Sequence, residues 1–523
     1  MYQIIASNAW VLVPLLCLFL SQIRSNRRSS QSRRLPPGPN RLPLIGNSHQ
    51  LPSEYQEYTF ESWAKKYGDL IYAKFFGSHT VIVNSSKVAR DLLDKRGAIY
   101  SSRPRMVTLV ELIGWDPTLS FAPYRSESRL KQRRWVQAAF GEKDTLRTYE
   151  ALQQRETCIF LASLMQTPED FKLHITRFTV ALIIETVYGH RVASLDDEYV
   201  MLMDRGMEAM NATGPAGGGI MDFFPLLKHV PAWMPGASFK RKALHARKLI
   251  HDAHYIPFDM VRKAVASGDA RPSFAAELIE KAEKSGRLDG EENDIRFAAG
   301  ALYAAGSDTT KSVLLTFLLA MVLYPEVFKK AQEELDRVVE NNRLPTLEDR
   351  PNLPYIDCVV KETYRWNPAI PLGIPHFLTE DDEYNGYHMP RDTHIVTNLW
   401  AMTRNEEMYR DPSLFRPERF LAPSGSIDMG VEDPRSIVFG YGRRLCPGRL
   451  FADTTVFLAV ASIAATLNID KARDAQGNVV TPSAKFPSSF VSFPEAYQCA
   501  ITPRSPNVMA LVEETLANIL SST

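Results

Sequence analysis

The sequence predicts a mainly α-helical fold with small β-sheets, built as one large domain behind an N-terminal membrane anchor. Three observations carry this. Helical periodicity dominates residues 143–265. Residues 293–324 are helical in pattern and almost free of charge, as in a helix buried on all sides. Elsewhere only short β-like runs occur; no βαβ repeat is visible and G-x-G-x-x-G is absent, which disfavours a nucleotide-binding parallel sheet. The 523 residues would by length alone suggest about three domains. Hydrophobic residues are 45% and charged residues 23%, which excludes a disordered or fibrous chain. The formal net charge is +1, so no global field points to nucleic acid or an acidic polymer. Cys17, Cys158, Cys358, Cys446 and Cys499 are too few and too scattered for a disulfide scaffold, and no C-x-x-C pair exists for a zinc ribbon.

In chain order, residues 1–23 form an apolar stretch of about bilayer-spanning length. Arg24, Arg27, Arg28, Arg33 and Arg34 follow it, and no Lys or Arg precedes it. A cleaved secretory signal has the opposite order, so the segment reads as an uncleaved single-pass anchor with the body in the cytosol. Residues 24–41 are basic and then proline-rich (Leu35-Pro-Pro-Gly-Pro39), an extended, semi-rigid hinge. The body follows over 42–523. Within 71–83 two β-like runs flank Gly77-Ser78, a hairpin signal. The glycine-rich stretch 213–219 interrupts the helical region, and after it Phe223, Phe224, Leu226, Leu227, Val230, Trp233 and Met234 form an apolar flap broken by prolines. Such a flap suits membrane contact, entry of a greasy substrate, or packing into the core. Short β-like pieces return within 387–397 and near the C-terminus.

The chemistry concentrates in Phe439-Gly-Tyr-Gly-Arg-Arg-Leu-Cys-Pro-Gly-Arg449. Glycines at 440, 442 and 448 let backbone approach something flat. Arg443, Arg444 and Arg449 favour the thiolate of Cys446, as does the helical pattern that starts just after it. A thiolate here suits a nucleophile or a metal ligand; a nucleophile needs a base, and no His lies near in sequence. Within the apolar helix, Ala305-Gly-Ser-Asp-Thr-Thr310 places Asp308 and Thr309 beside small residues, a groove for a small ligand and water. The apolar pattern continues through Leu314 to Leu318, which argues against a helix cap.

The cysteine loop resembles the haem-binding loop F-x-x-G-x-R-x-C-x-G of the cytochrome P-450 superfamily, matched at Phe439, Gly442, Arg444, Cys446 and Gly448. Glu362-Thr-Tyr-Arg365 matches E-x-x-R, Phe415-Arg-Pro-Glu-Arg-Phe420 matches the P-E-R-F segment, and 305–310 matches A-G-x-D-T-T. The resemblance implies the cytochrome P-450 fold, a single haem domain, with Cys446 as axial ligand of haem iron, the thiolate ligation known for this superfamily. It implies that Thr309 hydrogen-bonds reduced dioxygen and Asp308 feeds protons. It also implies a structural triad of Glu362, Arg365 and Arg419. For the propionates it offers Arg444, His376 and Arg133. The usual W-x-x-x-R is broken here: Arg129 stands where Trp is expected, which leaves Arg134 as an alternative to Arg133.

The function implied is haem-thiolate monooxygenation: hydroxylation or epoxidation of a lipophilic small molecule with dioxygen, using electrons from NADPH through a separate flavoprotein reductase. The chain resembles fungal microsomal members, implying the endoplasmic reticulum membrane and secondary-metabolite (terpenoid or polyketide) biosynthesis. Arg129, Lys131, Arg133 and Arg134 read either as a solvated helix face or as the reductase-docking patch. Substrate contacts are expected in 106–121, the flap, 369–374 and 488–492. Two rivals remain: an enzyme of the same fold that rearranges or dehydrates its substrate without dioxygen, and a non-catalytic membrane-anchored haem sensor.

Overall fold

The computed structural model describes residues 34–522 apart from 214–219, 341, 423 and 429. The expected anchor over 1–23, and the hinge up to residue 33, lie outside the described residues. The principal helices are α1 (Gln56–Tyr67), α2 (Glu127–Phe140), α3 (Glu150–Gln166), α4 (Phe171–Tyr188), α5 (Glu198–Asn211), α6 (Ser238–Ser267), α7 (Phe274–Lys284), α8 (Leu288–Leu323), α9 (Pro325–Val339), α10 (Pro354–Trp366), the short α11 (Arg435–Val438), α12 (Arg449–Thr466) and α13 (Val508–Ser522).

Helix α8 is the spine. Its 36 residues hold Asp289 and Glu291 in the first turn, where they complement the helix dipole, and it stops where Pro325 follows. It begins five residues earlier than the charge-free stretch suggested, because the amphipathic start carries charge outward. It packs against α2, α4, α7, α10 and α12. Among the described residues α8 and α12 are long and apolar enough to cross a membrane. Both are largely buried in the core, which explains their composition without a bilayer.

The expected hairpin is β1 (Leu70–Phe75) paired antiparallel with β2 (Ser78–Val83). β2 then pairs in parallel with β6 (His394–Thr397), and β6 pairs antiparallel with β3 (His376–Phe377), giving a sheet of order β1-β2-β6-β3. Two-stranded sheets join β4 (Asp382–Tyr384) to β5 (Tyr387–Met389) and β7 (Leu467–Lys471) to β8 (Cys499–Pro503). The proline-rich stretch is docked on this sheet: Tyr72 donates its N–H to the Pro37 carbonyl at 2.9 Å. A side chain on Gly38 would lie 1.9 Å from the Tyr72 carbonyl oxygen. The packed body therefore starts before residue 42.

Candidate active site

One cavity of about 280 Å³ lies between α8, α2, the start of β3 and the loop that leads into α12. On the α8 wall, Ala305 and Thr309 face it, one turn apart, and the Thr309 hydroxyl donates to the Ala305 carbonyl at 2.7 Å. Gly306 is small for a second reason: a side chain there would meet Ile183 Cδ1 at 2.5 Å, so its absence lets α4 pack close. Asp308 points away, toward α5. It is 5% exposed, and its Oδ2 accepts from Asn211 Nδ2 at 3.3 Å. Burial pushes its carboxyl up to about 6, although Lys311 and the Asn211 hydrogen bond pull it down. Lys311 itself pairs with Asp204 at 2.6 Å, so α5 and α8 share a polar seam behind the wall.

The opposite wall is the cysteine loop. Cys446 donates its N–H to the Phe439 carbonyl at 2.9 Å, which folds the loop back on itself. The sulfur borders the cavity. The expectation that Arg443, Arg444 and Arg449 depress its pKa is corrected. Burial dominates and pushes the thiol up; the Gly448 N–H, Arg133 and Arg449 pull the other way without prevailing. The three glycines also divide. Side chains on Gly440 and Gly448 would meet no protein atom within 4 Å, and both residues line the cavity. Gly442 instead has φ +58°, and a side chain there would lie 2.0 Å from the Leu93 carbonyl oxygen. It serves close packing against the segment Arg90–Lys95 rather than the cavity.

The rim is cationic. Arg133 donates to the Leu445 carbonyl at 2.8 Å. Arg444 donates to the carbonyls of Ser101, Leu119 and Ala122 at 2.8, 2.8 and 2.7 Å. His376 bonds the Tyr100 carbonyl through Nδ1 at 2.9 Å, and burial holds it well below its usual range, hence neutral. Two arginines join them that sequence reasoning missed or placed elsewhere. Arg103 donates to Ser120, Ile374 and Pro375 carbonyls at 2.9, 2.6 and 2.8 Å. Arg129, in the position expected for Trp, is 4% exposed and donates to the Tyr124 and Arg443 carbonyls at 3.1 Å each. Among the described lining residues there is no Asp or Glu. Burial and mutual repulsion pull Arg444 down to about 8 and Arg103 to about 9. These cations lack an anion that the protein itself does not supply.

The reading of 129–134 as one basic face is corrected accordingly. Arg129 and Arg133 turn inward, Lys131 pairs with Glu127 at 2.8 Å, and Arg134 alone of the four is exposed. Helical phase explains the split: positions four apart share a face. The structure brings Glu362, Arg365 and Arg419 together. Arg365 Nε lies 2.7 Å and Arg419 Nε 3.1 Å from Glu362 Oε2, with all three side chains buried. Of the expected substrate regions, Leu119, Ser120, Ala369, Ile370, Gly373 and Ile374 line the cavity. A neighbouring space, lined by Phe75, Phe223, Leu372 and Phe490, shares Ile370 and Gly373 with it. The flap divides: Phe223 packs on Phe75 and Phe76, while Leu226 and Trp233 are 82% and 78% exposed.

Apolar walls, open space at Gly440 and Gly448, a cysteine sulfur and a carboxylate-free arginine rim fit a flat apolar group with two acidic side arms. The comparisons agree. A family model described as Cytochrome P450 matches residues 36–489, and the chain belongs to that family, as a monooxygenase. It is 42% identical to Cytochrome P450 monooxygenase 176 of Postia placenta over 492 residues, 94% of each chain. It is 43% identical to Cytochrome P450 monooxygenase 136 of the same fungus, over 93% of this chain and 92% of the relative. It is also 36% identical to the tryptamine 4-monooxygenase of Psilocybe cyanescens, over 95% and 97%. The family implies a haem-thiolate cofactor, a redox partner and a lipophilic substrate.

Proposed function

We propose that this chain is anchored in the endoplasmic reticulum membrane and hydroxylates or epoxidises a lipophilic small molecule in a fungal secondary-metabolite pathway of terpenoid or polyketide type. Its electrons come from NADPH through a flavoprotein reductase. The observation that carries this reading is the single cavity that holds both Cys446 and Thr309 between apolar walls and an arginine rim.

Cys446 would hold the iron, with Phe439, Gly442 and Gly448 shaping its loop and Arg133, Arg444 and His376 available to the propionates. With Nδ1 donating to the Tyr100 carbonyl, His376 would donate from Nε2 only as the imidazolium, which a propionate's charge would favour. Haem bound there would supply the dioxygen activation, with Cys446 as its thiolate ligand. The protein supplies the rest. Thr309 presents a hydroxyl at the wall, its proton directed to the Ala305 carbonyl until a better acceptor arrives. Asp308, raised to about 6, holds and releases a proton near neutral pH from behind the wall. Ile183, Ala301, Leu302 and Ile374 exclude bulk water and bind an apolar substrate. The apolar segment within 1–23 with its trailing arginines supports the anchor, and the exposed Leu226 and Trp233 support further contact with lipid. Fungal relatives, one of them named for the oxidation of tryptamine, support a small-molecule substrate in fungal metabolism.

Co-expression with an NADPH-dependent reductase, followed by metabolite profiling, tests the reading. Product that requires both reductant and dioxygen is expected. Turnover independent of both would favour the rearranging or dehydrating class of the same fold. Cys446→Ser should lose the thiolate signature of the reduced carbon monoxide complex.

A further inference from the structure

Four charged side chains from four segments form a closed ring behind the cysteine loop. Arg350 lies in the turn Leu347–Asn352, Asp357 in α10, Arg435 at the start of α11 and Asp453 in α12. Arg350 is 2.7 Å from both Asp357 and Asp453. Arg435 is 2.6 Å from Asp357 and 3.0 Å from Asp453. The signs alternate and cancel. Side-chain exposures run from 14% to 22%, so these pairs are shielded from solvent far more than ordinary surface pairs. Lys361 and Asp433 flank the ring with one further charge of each sign, Lys361 lying 3.6 Å from Asp357 and 3.4 Å from Asp433.

The ring's position relative to the loop gives it a role. Helix α11 runs directly into Phe439, whose carbonyl accepts the Cys446 N–H. Helix α12 begins at Arg449, three residues after the cysteine, and Asp453 is one turn in. The Arg435–Asp453 contact therefore closes the neck of the loop, joining the segment that enters it to the segment that leaves it. Between them, Gly440 and Gly442 have positive φ, and glycine backbone is entropically costly to hold in one conformation. The loop's own short-range bonds fold it, and Arg444, Arg129 and Arg133 tie its tip to the segments opposite, which leaves its neck to be fixed from behind. Arg350 and Asp357 tie the neck to α10 and the turn before it.

We propose that Arg435 and Asp453, braced by Arg350 and Asp357, are positioning residues that clasp the neck of the cysteine loop and hold the Cys446 sulfur in place for the haem iron. This rests on the reading of Cys446 as the iron ligand. Outer partners of metal ligands commonly tune and fix them in this way. A clasp of this kind acts most on how long the ligated state survives, because a loosened loop lets the sulfur leave the iron while the rest of the domain stays folded.

The test uses the full chain loaded with haem. The reduced carbon monoxide complex is followed as its long-wavelength thiolate band converts to the short-wavelength band of the form without the thiolate. Asp453→Asn and Arg435→Gln are expected to convert about tenfold faster than the parent chain, since a loss of about 1.4 kcal/mol over the ion pairs each variant breaks corresponds to tenfold. The double variant should be faster than either single one but fall short of their combined effect, because the Arg435–Asp453 contact is lost only once while each single variant also loses its own contact to Asp357 or Arg350. Arg435→Lys keeps the charge without the planar fork, should fall between, and serves if the neutral variants do not accumulate.

Glu185→Gln is the control. It opens a separate network in which Glu185 and Glu156 pair with Arg155, and Glu156 pairs with Arg177, on α3 and α4. It should lower the melting temperature without speeding conversion. Conversion in Asp453→Asn at the parent rate, or acceleration by Glu185→Gln equal to that of the ring variants, would overturn the clasp. A parent chain without any thiolate band would overturn the ligand reading and the clasp with it. A parent band that the ring variants leave untouched would overturn the clasp alone.

Discussion

At the scale of single residues, Thr309 and Asp308 lie on two faces of α8, Thr309 bordering the cavity and Asp308 behind its wall against Asn211. Removing the Thr309 hydroxyl leaves the cavity wall apolar at that point. Thr309→Ala is expected to consume reductant while releasing peroxide in place of product, measured as the ratio of product to NADPH oxidised. Asp308 makes a prediction in pH. Its folded pKa, about 6, lies above the ordinary 3.8 because burial disfavours the charged form. An acid raised on folding costs nothing below pH 3.8, where both states are protonated. The cost grows as pH rises from 3.8 to about 6, and is complete above that. At 1.36 kcal/mol per unit it amounts to about 3 kcal/mol. Asp308→Asn should therefore raise the melting temperature at pH 7 but not at pH 4, while slowing turnover. Cys446 and Thr309 were legible because each sits in a short local motif. Arg103 and Asn211 were not, since each acts through contacts with segments remote in sequence, and nothing in their own neighbourhoods announces it.

At the scale of elements, α8 carries two glycines with opposite expectations. A side chain at Gly300 would lie 1.8 Å from His254 Cδ2 of α6, whereas at Gly290 it would meet nothing within 4 Å. Gly300→Ala should destabilise by about 1–3 kcal/mol through overpacking, and Gly290→Ala should stabilise by up to about 1 kcal/mol through helix propensity. Denaturant titration of the two variants checks both signs. The triad is more severe. Glu362→Gln leaves Arg365 and Arg419 buried without their counter-charge, and a loss of about 3–5 kcal/mol is expected, read as failure to accumulate haem-loaded protein. Helix and strand positions followed from periodicity because burial sets both. The inward turn of Arg129 did not, because a run of basic residues looks the same in sequence whichever face is buried; that of Arg133 was expected from the family motif alone. The ring Arg350, Asp357, Arg435 and Asp453 was equally hidden, its members being drawn from four segments.

At the scale of the whole molecule, length suggests about three domains and motif one, and the cavity built from α2, α8, β3 and the α12 loop draws its lining from Arg103 through to Val456. The exposed apolar side chains Phe224, Leu226, Trp233 and Met234 gather on one short stretch of the surface. A chain lacking residues 1–33 is expected to retain binding to phospholipid vesicles, and Leu226→Ser with Trp233→Ser should reduce it several-fold in a sedimentation assay, about 0.8 kcal/mol being at stake per buried methylene.

The parallel pairing of Thr80 through Val83 with His394 through Thr397 has a consequence for birth of the protein on the ribosome. The first hairpin emerges early, yet its partner strand is synthesised some three hundred residues later. At about 5–20 residues per second, β2 waits roughly 15–60 seconds with an open edge. The docked stretch around Pro37 and Gly38 covers the β1 side of that young hairpin but leaves the β2 side bare. Chaperone capture of nascent chains stalled before residue 394, and its loss once that strand is released, should mark the interval during which this enzyme is most exposed to aggregation.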